Sequence, residues 1–554
     1  MPEWTATRIT KHLSLLLNDA RLILVSNRAP YIHRWHLPAS HADGEGTAVA
    51  VRKKGMDFGW VRRVPSQVFR LFQNDDGVRW SRPAGGLTSA LDPAMQACHG
   101  TWVAWGSGSA DRDTVNPQDH VQVPPDNPQY TLRRVWLTEA QVRGFYYGFA
   151  NSALWPLCHL QLERATFNPL HWRHYQAVNA HFAAAVADEC GEAPAIVWVQ
   201  DYHLALCPAY LRQRRPTLAI MHFWHIPWPP WEVYRACPWR REIVEGLLGN
   251  DLLGFHLEQH GRNFLECAEH VLGASVDYKA GVVTYAGRET WVGTFPISID
   301  YAWWTRLASG RRVTRRIARL RAQPDLAFPL LGLGVDRLDY TKGIVSRLEA
   351  IERFLEKYPQ YRGRFGFVQI MVPSRTQIED YRQIKAQVET LVERINKRFG
   401  VGSAAPIHYL YESLEPAELA VYYRMADVAM VTSLHDGMNL VAKEFVAAQI
   451  EARGVLLCSE FAGAAAELDS ALHINPYDIE GVADSLKWAL EMPATEKAHR
   501  MARLQAYLAE HNIYKWLADI FTDLARIQEN GRVTVTALAP VATPASRTPA
   551  PRGA

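Results

Sequence analysis

Cysteine, excess charge of one sign and long apolar runs are all scarce in this chain of 554 residues. The seven cysteines form no C-x-x-C motif and no even framework, which argues against a disulfide scaffold and indicates buried thiols in a reducing cytoplasm. Lysine plus arginine (60) nearly balances aspartate plus glutamate (57), so neither nucleic acid nor a membrane surface is the expected main partner. We expect no membrane span and no signal peptide.

The length and the apolar pattern predict more than one domain. A chain of this size exceeds what one hydrophobic core accommodates. Buried, strand-like runs at residues 22–26, 195–199 and 218–223 are followed by a second series at 330–335, 365–372, 428–432 and 455–458, with helical periodicity between them. Two consecutive βα arrays predict an α/β protein with two doubly wound, Rossmann-like domains that face an interdomain cleft.

Composition changes along the chain predict the domain boundaries. A polar stretch at about 32–81 inside the first domain is interpreted as an insertion, either a flap over the substrate or a decorated loop. The Ala/Pro/Thr-rich end cannot bury enough surface to fold. The predicted units are an N-terminal extension at 1–19, a first domain at 20–298, a second domain at 299–512, a helix returning to the first domain at 513–531, and a disordered tail at 532–554.

The segment HDGMNLVAKE at residues 435–444 follows a strand-like run and opens an apolar-periodic helix. In α/β folds anionic ligands bind at such a junction, because free backbone N–H groups and the helix dipole face them. Gly437 lets the backbone approach a ligand closely, and Asp436 and Glu444 can accept hydrogen bonds from sugar hydroxyls. On composition alone, an ordinary helix start with a capping Asp and a solvated Glu is the commoner explanation.

Two cations are predicted to hold a diphosphate. Arg337 and Lys342 lie five residues apart, across a turn that follows a predicted strand. They could neutralise a diphosphate leaving group without a metal. His222 and His225 lack a third ligand at a suitable spacing, so no metal site is predicted. Asp111-Arg112-Asp113 has the D-x-D form of a metal–diphosphate site, but it lies in a polar loop and is interpreted as a solvated turn.

Seven motifs in chain order resemble the trehalose-phosphate synthase family, which are retaining glycosyltransferases of the two-domain GT-B fold. The resemblance extends from about residue 22 to about residue 516, and seven ordered motifs are far more specific than any one of them. They are VSNR at 25–28, AGGL at 84–87, QDYHL at 200–204, HIPWP at 225–229, LGF at 253–255, DRLDYTKG at 336–343 and HDGMNLVAKE at 435–444.

The resemblance implies a role for each matching residue. It implies that the catalytic residues are His225, Asp201, Arg337, Lys342 and Asp436. It implies that the donor nucleotide sugar is bound by Gly85, Gly86, Arg337, Lys342, Leu414, Asp436, Met438, Asn439, Leu440, Val441 and Glu444. It implies that a phosphorylated acceptor is bound by Arg28, Tyr146, Trp155, Asp201 and Arg375, with the two arginines as phosphate clamps.

The implied reaction moves glucose, with retention, from a nucleotide diphosphate glucose to glucose 6-phosphate, giving trehalose 6-phosphate. The resemblance favours UDP-glucose as donor, while GDP- and ADP-glucose stay open. No metal or other cofactor is expected, because the nucleotide sugar is itself a substrate. We expect a cytoplasmic enzyme whose partners are its two substrates, without nucleic acid or membrane, and we leave a homo-oligomer open.

Two departures from the family leave alternatives open. His435 stands where the family commonly has Arg, and His256 stands where many members have Gln. A His at 256, the TWVAW run at 101–105 and RRV at 133–135 resemble glucosylglycerol-phosphate synthases, which use the same chemistry on glycerol 3-phosphate. A catalytically inactive, sugar-phosphate-sensing homologue is the non-enzymatic alternative, although the residues with implied catalytic roles are all present.

Overall fold

The computed structural model describes residues 4–17, 19–35, 77–83, 86–402 and 404–529. The predicted tail, Gly85 and residues 36–76 of the predicted insertion lie outside this part of the chain. The two ends of the insertion that are described pair as an antiparallel ribbon, Ile32–Trp35 with Val78–Ser81. Among the described helices, none is long and apolar enough to cross a bilayer.

The described residues form two large sheets and one small ribbon. In chain order the strands are β1 Arg21–Ser26, β2 Ile32–Trp35, β3 Val78–Ser81, β4 Thr101–Trp105, β5 His120–Val123, β6 Tyr130–Val135, β7 Ala195–Gln200, β8 Ala219–Phe223, β9 Leu252–Phe255, β10 Ser275–Asp277, β11 Val282–Tyr285, β12 Arg288–Thr294, β13 Leu330–Arg337, β14 Phe365–Val372, β15 Ile407–Leu410, β16 Val428–Val431, β17 Val455–Ser459 and β18 Leu472–Ile474. The first sheet has ten strands and the second has six.

Helices cover both faces of these sheets. They are α1 Ala6–Leu17, α2 Gly86–Cys98, α3 Glu139–Gln141, α4 Trp155–Cys158, α5 Pro169–Cys190, α6 Cys207–Arg214, α7 Trp231–Tyr234, α8 Arg240–Leu247, α9 Glu258–Leu272, α10 Tyr301–Ala308, α11 Arg311–Arg321, α12 Ile344–Lys357, α13 Glu379–Phe399, α14 Pro416–Met425, α15 Leu440–Ala448, α16 Ile479–Glu491, α17 Ala494–Glu510 and α18 Ile513–Glu529. A π-helical segment, Val142–Leu154, lies between α3 and α4.

The second sheet has the strand order β15-β14-β13-β16-β17-β18, and all of its pairs are parallel. Numbered within this half, the order is 3-2-1-4-5-6, which is that of a dinucleotide-binding Rossmann sheet. The strands are apolar along nearly their whole length because helices bury both faces of a parallel sheet. The chain order reverses between β13 and β16, which creates a crevice at their carboxyl ends.

The first sheet repeats this plan with additions at both edges. Its order is β10-β11-β12-β9-β8-β7-β1-β4-β6-β5, and only the pairs β10–β11, β11–β12 and β5–β6 are antiparallel. β1 lies between β4 and β7, with Val25 opposite both Val103 and Val199. The order therefore reverses between β1 and β7, and the predicted class of two doubly wound α/β sheets matches both halves of the described chain.

The first and last described helices pack beside the first sheet. α1 buries Ile9, Leu13 and Leu17, which recur at helical spacing, and α1 lies against α18. In α18 the Trp516 indole donates to the Phe295 carbonyl (3.0 Å), and its ring centre lies 5.4 Å from that of Trp198 in β7. The chain thus returns to the first sheet after completing the second.

The connection between the sheets is held by a buried ion pair. Lys443 of α15 is fully buried, donates to the Ile297 carbonyl (2.7 Å) and forms a salt bridge with Glu467 (2.6 Å). The backbone N–H of Ile513 donates to the carbonyl of Ile299 nearby (3.0 Å). These contacts fasten the connecting segment to both α15 and α18.

One sequence interpretation is wrong. Asp111 was interpreted as part of a solvated turn, but its side chain is fully buried and forms a salt bridge with the equally buried Arg134 (2.7 Å). It also accepts hydrogen bonds from the backbone N–H groups of His33 and Gly108. The buried Arg134, 23 residues away in sequence, draws the carboxylate inward, because a buried cation needs a partner.

Candidate active site

The predicted site residues lie at the two points where strand order reverses. Arg28 follows β1 and Asp201 follows β7, the two strands that flank the reversal in the first sheet. Arg337 ends β13 and Asp436 follows β16, the corresponding pair in the second sheet. Ligands of open α/β sheets bind in the crevice outside such strand ends. The fold therefore presents both sets of predicted residues at ligand-binding edges.

The two edges meet at Gly437 and His225. A Cβ added to Gly437 would lie 2.5 Å from the carbonyl oxygen of His225, so only glycine permits this approach. The backbone N–H of His225 itself donates to Asp201 Oδ1 (3.3 Å). The ring Nε2 of His225 is 2.8 Å from Gln200 Oε1. His225 is therefore constrained through its backbone and its ring at the junction of the two halves.

Lys342 and Asp436 form the central ion pair of the second half. Lys342 Nζ lies 2.5 Å from Asp436 Oδ2, and both side chains are nearly buried. Ser433 Oγ (3.1 Å) and Asn439 Nδ2 (3.3 Å) also donate to this oxygen. Burial alone would raise the pKa of Asp436, but Lys342, with smaller contributions from His159 and Ser433, holds it well below its usual value. Asp436 is thus a fixed carboxylate that orients an ammonium group at the strand end.

Arg337 and Arg375 converge on one aromatic ring from the opposite half. The guanidinium of Arg375 lies 4.1 Å from the ring centre of Trp155, and that of Arg337 lies 5.5 Å from it. Arg375 also donates to Asp339 Oδ2 (3.2 Å) and to the Tyr202 hydroxyl (3.1 Å). The structure therefore places these three predicted residues together across the cleft.

Tyr146 lies among the cations. Burial would raise the pKa of its phenol, but Arg28, Arg375 and Arg337 together lower it to about 8. The Tyr146 ring stacks on that of His203, with 5.7 Å between the ring centres and 12° between the planes. Arg28 and Arg375, which come from different halves of the chain, thus act on the same phenol. This is the cationic environment that a phosphate group requires.

The π-helical segment Val142–Leu154 positions Tyr146. Such wide turns are rare and frequently occur at functional sites. Here side chains bridge five residues back along the segment: Asn151 Nδ2 donates to the Tyr146 carbonyl, and Ser152 Oγ donates to that of Tyr147 (both 2.8 Å). The Tyr202 hydroxyl in turn donates to Asn151 Oδ1 (2.7 Å). The aromatic residue is therefore tied to the residue that follows Asp201.

Asp201 combines burial with an uncommon backbone conformation. Its φ of 70° is positive, which non-glycine residues rarely adopt. Burial raises the pKa of its carboxyl group to about 6, against hydrogen bonds from the Tyr202 and His225 backbones and attraction by Arg28 and Arg337. Arg375 (φ 46°) and Asn439 (φ 95°) share this backbone feature. Backbone strain at three predicted site residues is typical of functional loops.

The loop that opens α15 carries the other predicted donor residues. Asn439 caps the helix by accepting from the Ala442 N–H (3.2 Å), and Leu440 and Val441 form its first turn. Glu444 accepts from the Tyr423 hydroxyl (2.8 Å). Burial raises the pKa of Glu444 to about 7, although the Tyr423 hydrogen bond lowers it.

Three predicted donor residues are placed without a demonstrated contact to the cations. Met438 is buried beneath the loop, and its carbonyl accepts from the Ala464 N–H (2.8 Å). Leu414 is half-buried after β15, and Gly86 begins α2. The contact of Leu414 with a nucleotide base stays a prediction. Gly85 lies outside the described residues.

Several neighbours of the site had no recognised sequence signal. Gln200 contacts His225, the His159 ring packs at a tilt of 33° against that of Trp155 with ring centres 4.1 Å apart, and Tyr381 donates to Asp339 Oδ2 (3.0 Å). Gln200 lies in the QDYHL motif and Asp339 in the DRLDYTKG motif, but the resemblance implies no role for either residue. Tyr381 and His159 reach the site from α13 and from the end of α4, where the helical pattern alone marks them as core.

The two departures from the family occupy defined positions. The His435 ring lies between those of His159 and His260, with ring centres 6.4 and 6.3 Å away. His256 Nδ1 accepts from the Ile297 N–H (3.4 Å), and its ring centre is 5.4 Å from that of His225. Within the described part of the chain, no group of three or more His, Cys, Asp or Glu side chains is arranged to hold a metal ion.

Comparison with known proteins identifies relatives over most of the chain. The sequence profile of glycosyltransferase family 20 matches residues 59–526. The chain is 40% identical over 472 residues to a trehalose-6-phosphate synthase of Mycobacterium avium (strain 104), which covers 84% of this chain and 94% of the relative.

Two solved structures are also similar. One is an alpha,alpha-trehalose-phosphate synthase (UDP-forming) from Burkholderia xenovorans in complex with glucose-6-phosphate; it is 32% identical, has a TM-score of 0.74, and the alignment covers 91% of this chain and 100% of the other. The second is a trehalose-6-phosphate protein from E. coli bound with UDP-2-fluoro glucose, at 32% identity and a TM-score of 0.75, with 92% and 99% coverage.

Proposed function

Because the chain belongs to glycosyltransferase family 20, we infer that it is a trehalose-6-phosphate synthase with the GT-B fold. It transfers glucose from UDP-glucose to glucose 6-phosphate and forms trehalose 6-phosphate. The relatives described above bear the corresponding names, and one is bound to glucose-6-phosphate and another to a UDP-sugar analogue. Of the three candidate donors, UDP-, GDP- and ADP-glucose, the similarity to these relatives supports UDP-glucose.

One structural observation supports this function most directly. The two ligand-binding edges meet where the Gly437 backbone lies against the His225 carbonyl. Cations for a diphosphate lie on the second-half side of this contact, and cations for a second phosphate surround Tyr146. A donor that enters from one edge and a phosphorylated acceptor that enters from the other would bring the glucosyl carbon of the donor and the acceptor hydroxyl together at His225.

On the donor side, Arg337 and Lys342 are proposed to hold the diphosphate. Lys342 is already oriented by Asp436, so its ammonium group loses little freedom when the phosphate binds. The first amides of α15, at Leu440 and Val441, face an anion at a helix N-terminus favourably. The Glu444 carboxylate, in its charged form, is proposed to accept hydrogen bonds from the ribose. Its hydrogen bond from the Tyr423 hydroxyl would then be lost or shared with the ribose.

On the acceptor side, Arg28 and Arg375 are proposed to clamp the phosphate of glucose 6-phosphate. Both guanidinium groups act on Tyr146, and Arg375 lies on the ring of Trp155. Asp201 is proposed to accept from an acceptor hydroxyl close to the reacting carbon. Because Arg28 and Arg375 belong to different halves, the phosphate would bridge them and favour closure of the cleft.

Retention of configuration is proposed to occur by attack on the same face as the departing phosphate. The leaving phosphate oxygen would take the proton of the acceptor hydroxyl, while Arg337 and Lys342 stabilise its developing negative charge. The carbonyl of His225 would stabilise positive charge on the glucosyl carbon. A glycosidase-type carboxylate pair has no role in this scheme. Cationic side chains supply the charge stabilisation, so we propose that no metal is required.

A crossed-substrate assay tests the function. UDP-, GDP- and ADP-glucose are each incubated with glucose 6-phosphate or glycerol 3-phosphate, and nucleotide release and the sugar phosphate product are measured together. We expect turnover with UDP-glucose and glucose 6-phosphate, with trehalose 6-phosphate as product. Preferred use of glycerol 3-phosphate would replace the proposed acceptor, and an absence of turnover with every pair would support the inactive, sensing homologue.

A further inference from the structure

Gln200 makes a direct contact with the predicted catalytic histidine. It is the last residue of β7, is fully buried, and precedes the strained Asp201. Its Oε1 lies 2.8 Å from Nε2 of His225, which follows the neighbouring strand β8. Its Nε2 has no partner among the described residues. A buried amide N–H without a partner is costly, so packing alone does not explain the choice of glutamine here.

The contact determines which nitrogen of His225 carries its proton. A neutral imidazole has one N–H and one lone pair. When Gln200 Oε1 accepts from Nε2–H, the lone pair is on Nδ1. The backbone of His225 is fixed independently, by Asp201 on its N–H and by Gly437 against its carbonyl. With the backbone held, the orientation of the imidazole ring is what remains to be fixed, and the contact with Gln200 fixes it.

The surroundings of His225 keep the ring neutral. Among the described residues, the titratable groups recorded against it are Asp201, His222 and His256. His222 is engaged with the Asp201 carbonyl (3.1 Å). Burial, with His256 and His222 nearby, holds the pKa of His225 well below its usual value. The Gln200 amide oxygen can accept from the ring without bringing a negative charge that would favour the protonated imidazole.

We propose that Gln200 is a positioning residue that fixes His225 as its Nε2–H tautomer, so that Nδ1 accepts a hydrogen bond from a hydroxyl of the donor glucose. The inference rests on the proposed function, since it assigns a role inside the same site. Gln200 itself touches no substrate in this scheme. Its effect on the reaction passes through the orientation of the imidazole and of the glucose ring that the imidazole holds.

Two substitutions separate this role from simple packing. Gln200→Met keeps the shape but cannot hold the ring, so kcat should fall about 10- to 100-fold, by analogy with the loss of groups that orient metal-ligating histidines. KM for glucose 6-phosphate should change less than about threefold, because the acceptor clamp is untouched. Gln200→Glu can only accept, so it keeps the tautomer at alkaline pH and should retain near-normal kcat there.

The carboxylate of Gln200→Glu should also change the pH profile. A neighbouring negative charge raises the pKa of an imidazole, so the ring becomes protonated at a higher pH and Nδ1 can no longer accept. The wild-type ring, with its lowered pKa, stays neutral across the measured range, so a loss of kcat at acidic pH that appears in Gln200→Glu but not in wild type or Gln200→Met reports protonation of this ring. Gln449→Met serves as the control, because Gln449 is equally buried and its side-chain amide bonds to backbone atoms of Tyr423, Ala426 and Gly454.

The measurements are kcat, both KM values and the pH profile between about 5.5 and 9, normalised to folded protein from thermal melts. Gln449→Met should lower the melting temperature while keeping kcat within about threefold. A Gln200→Met enzyme with kcat within threefold of wild type, or a Gln200→Glu enzyme that loses as much kcat at alkaline pH as Gln200→Met, overturns the proposal. Failure of the wild-type enzyme to form trehalose 6-phosphate would instead reject the proposed function, so the two failures are distinguishable.

Discussion

Removal of the Lys342 ammonium group is expected to have separate effects on folding and on turnover. Lys342→Met leaves the Asp436 carboxylate buried without its cation. Breaking a buried pair in this way costs roughly 3–5 kcal/mol of folding free energy. The donors Ser433 and Asn439 remain on the same oxygen, so we expect a loss near the lower end, about 3 kcal/mol.

The catalytic loss has a different origin. If Lys342 stabilises the charge that develops on the leaving diphosphate, its removal should raise the barrier by about 2.7–4 kcal/mol, by analogy with the deletion of one donor to an oxyanion. That corresponds to a reduction of kcat by roughly 100- to 1,000-fold. Arg337 remains in place, so the residual rate should stay measurable.

The double variant Lys342→Met/Asp436→Asn distinguishes the two effects. It removes the unpaired buried carboxylate together with the ammonium group, so the free energy of unfolding should recover by about 2 kcal/mol relative to Lys342→Met alone. Turnover should not recover, because the leaving group still lacks its cation. Urea unfolding gives the stability, and the rate of UDP release with saturating glucose 6-phosphate gives kcat.

A double variant that regains kcat to within about tenfold of wild type would refute this reasoning. It would mean that Lys342 serves only to neutralise Asp436, and that the loss in the single variant came from a distorted loop. The conservative variant Lys342→Arg controls for charge alone: it should keep the stability but place its guanidinium differently against the diphosphate, with an intermediate kcat.

Three further predictions concern the acceptor, the ribose contact and metals. Arg28→Ala should lower kcat/KM for glucose 6-phosphate by about 10- to 150-fold, as expected for a lost hydrogen bond to a charged group, while leaving the slow hydrolysis of UDP-glucose within about threefold; equal use of glucose and glucose 6-phosphate by the wild-type enzyme would contradict the clamp. Glu444 is proposed to bind ribose in its charged form, and its pKa is raised to about 7, so calorimetry should show UDP affinity rising through pH 7 and falling about tenfold by pH 6. Glu444→Gln should remove that dependence, and a dependence that persists would assign it to another group. Initial rates should be the same after EDTA treatment, and activity that is lost and then restored by Mg²⁺ or Mn²⁺ would show the opposite.

Strand-level prediction succeeded because each βα unit has its own local pattern. Apolar runs and helical periodicity identified the α/β class and the strand ends at which Arg337 and Asp436 lie. Strand order was not predictable in the same way, since the order 3-2-1-4-5-6 arises from pairing between distant segments and leaves no local mark. The π-helical segment at Val142–Leu154 is not predictable from the sequence either, because wide turns of this kind hardly alter the hydrophobic period.

For the site, too, local features were predictable from the sequence and long-range contacts were not. Residue types and motif order predicted which side chains gather, and the structure brings together Arg28, Tyr146, Trp155, Arg337 and Arg375. Contacts across large sequence distances were beyond reach. The ion pair of Lys342 with Asp436 spans 94 residues, and the burial of Asp111 depends on an arginine in another strand. Such pairings depend on the packed fold, which residue spacing does not encode.

The positive φ angles of Asp201, Arg375 and Asn439 have a consequence for protein engineering. Each non-glycine residue held in that region carries about 1–3 kcal/mol of conformational cost, which glycine would largely relieve. These are therefore positions where the wild-type residue is not the most stable choice for the backbone. At Arg375 and Asn439 the buried ion pair with Asp339 and the helix cap of α15 offset that cost, so glycine there should lower the melting temperature. At Asp201, whose charged form is disfavoured by burial, glycine should raise the melting temperature while glucose transfer falls. Thermostabilised variants of this enzyme should accordingly keep all three residues and gain their stability elsewhere.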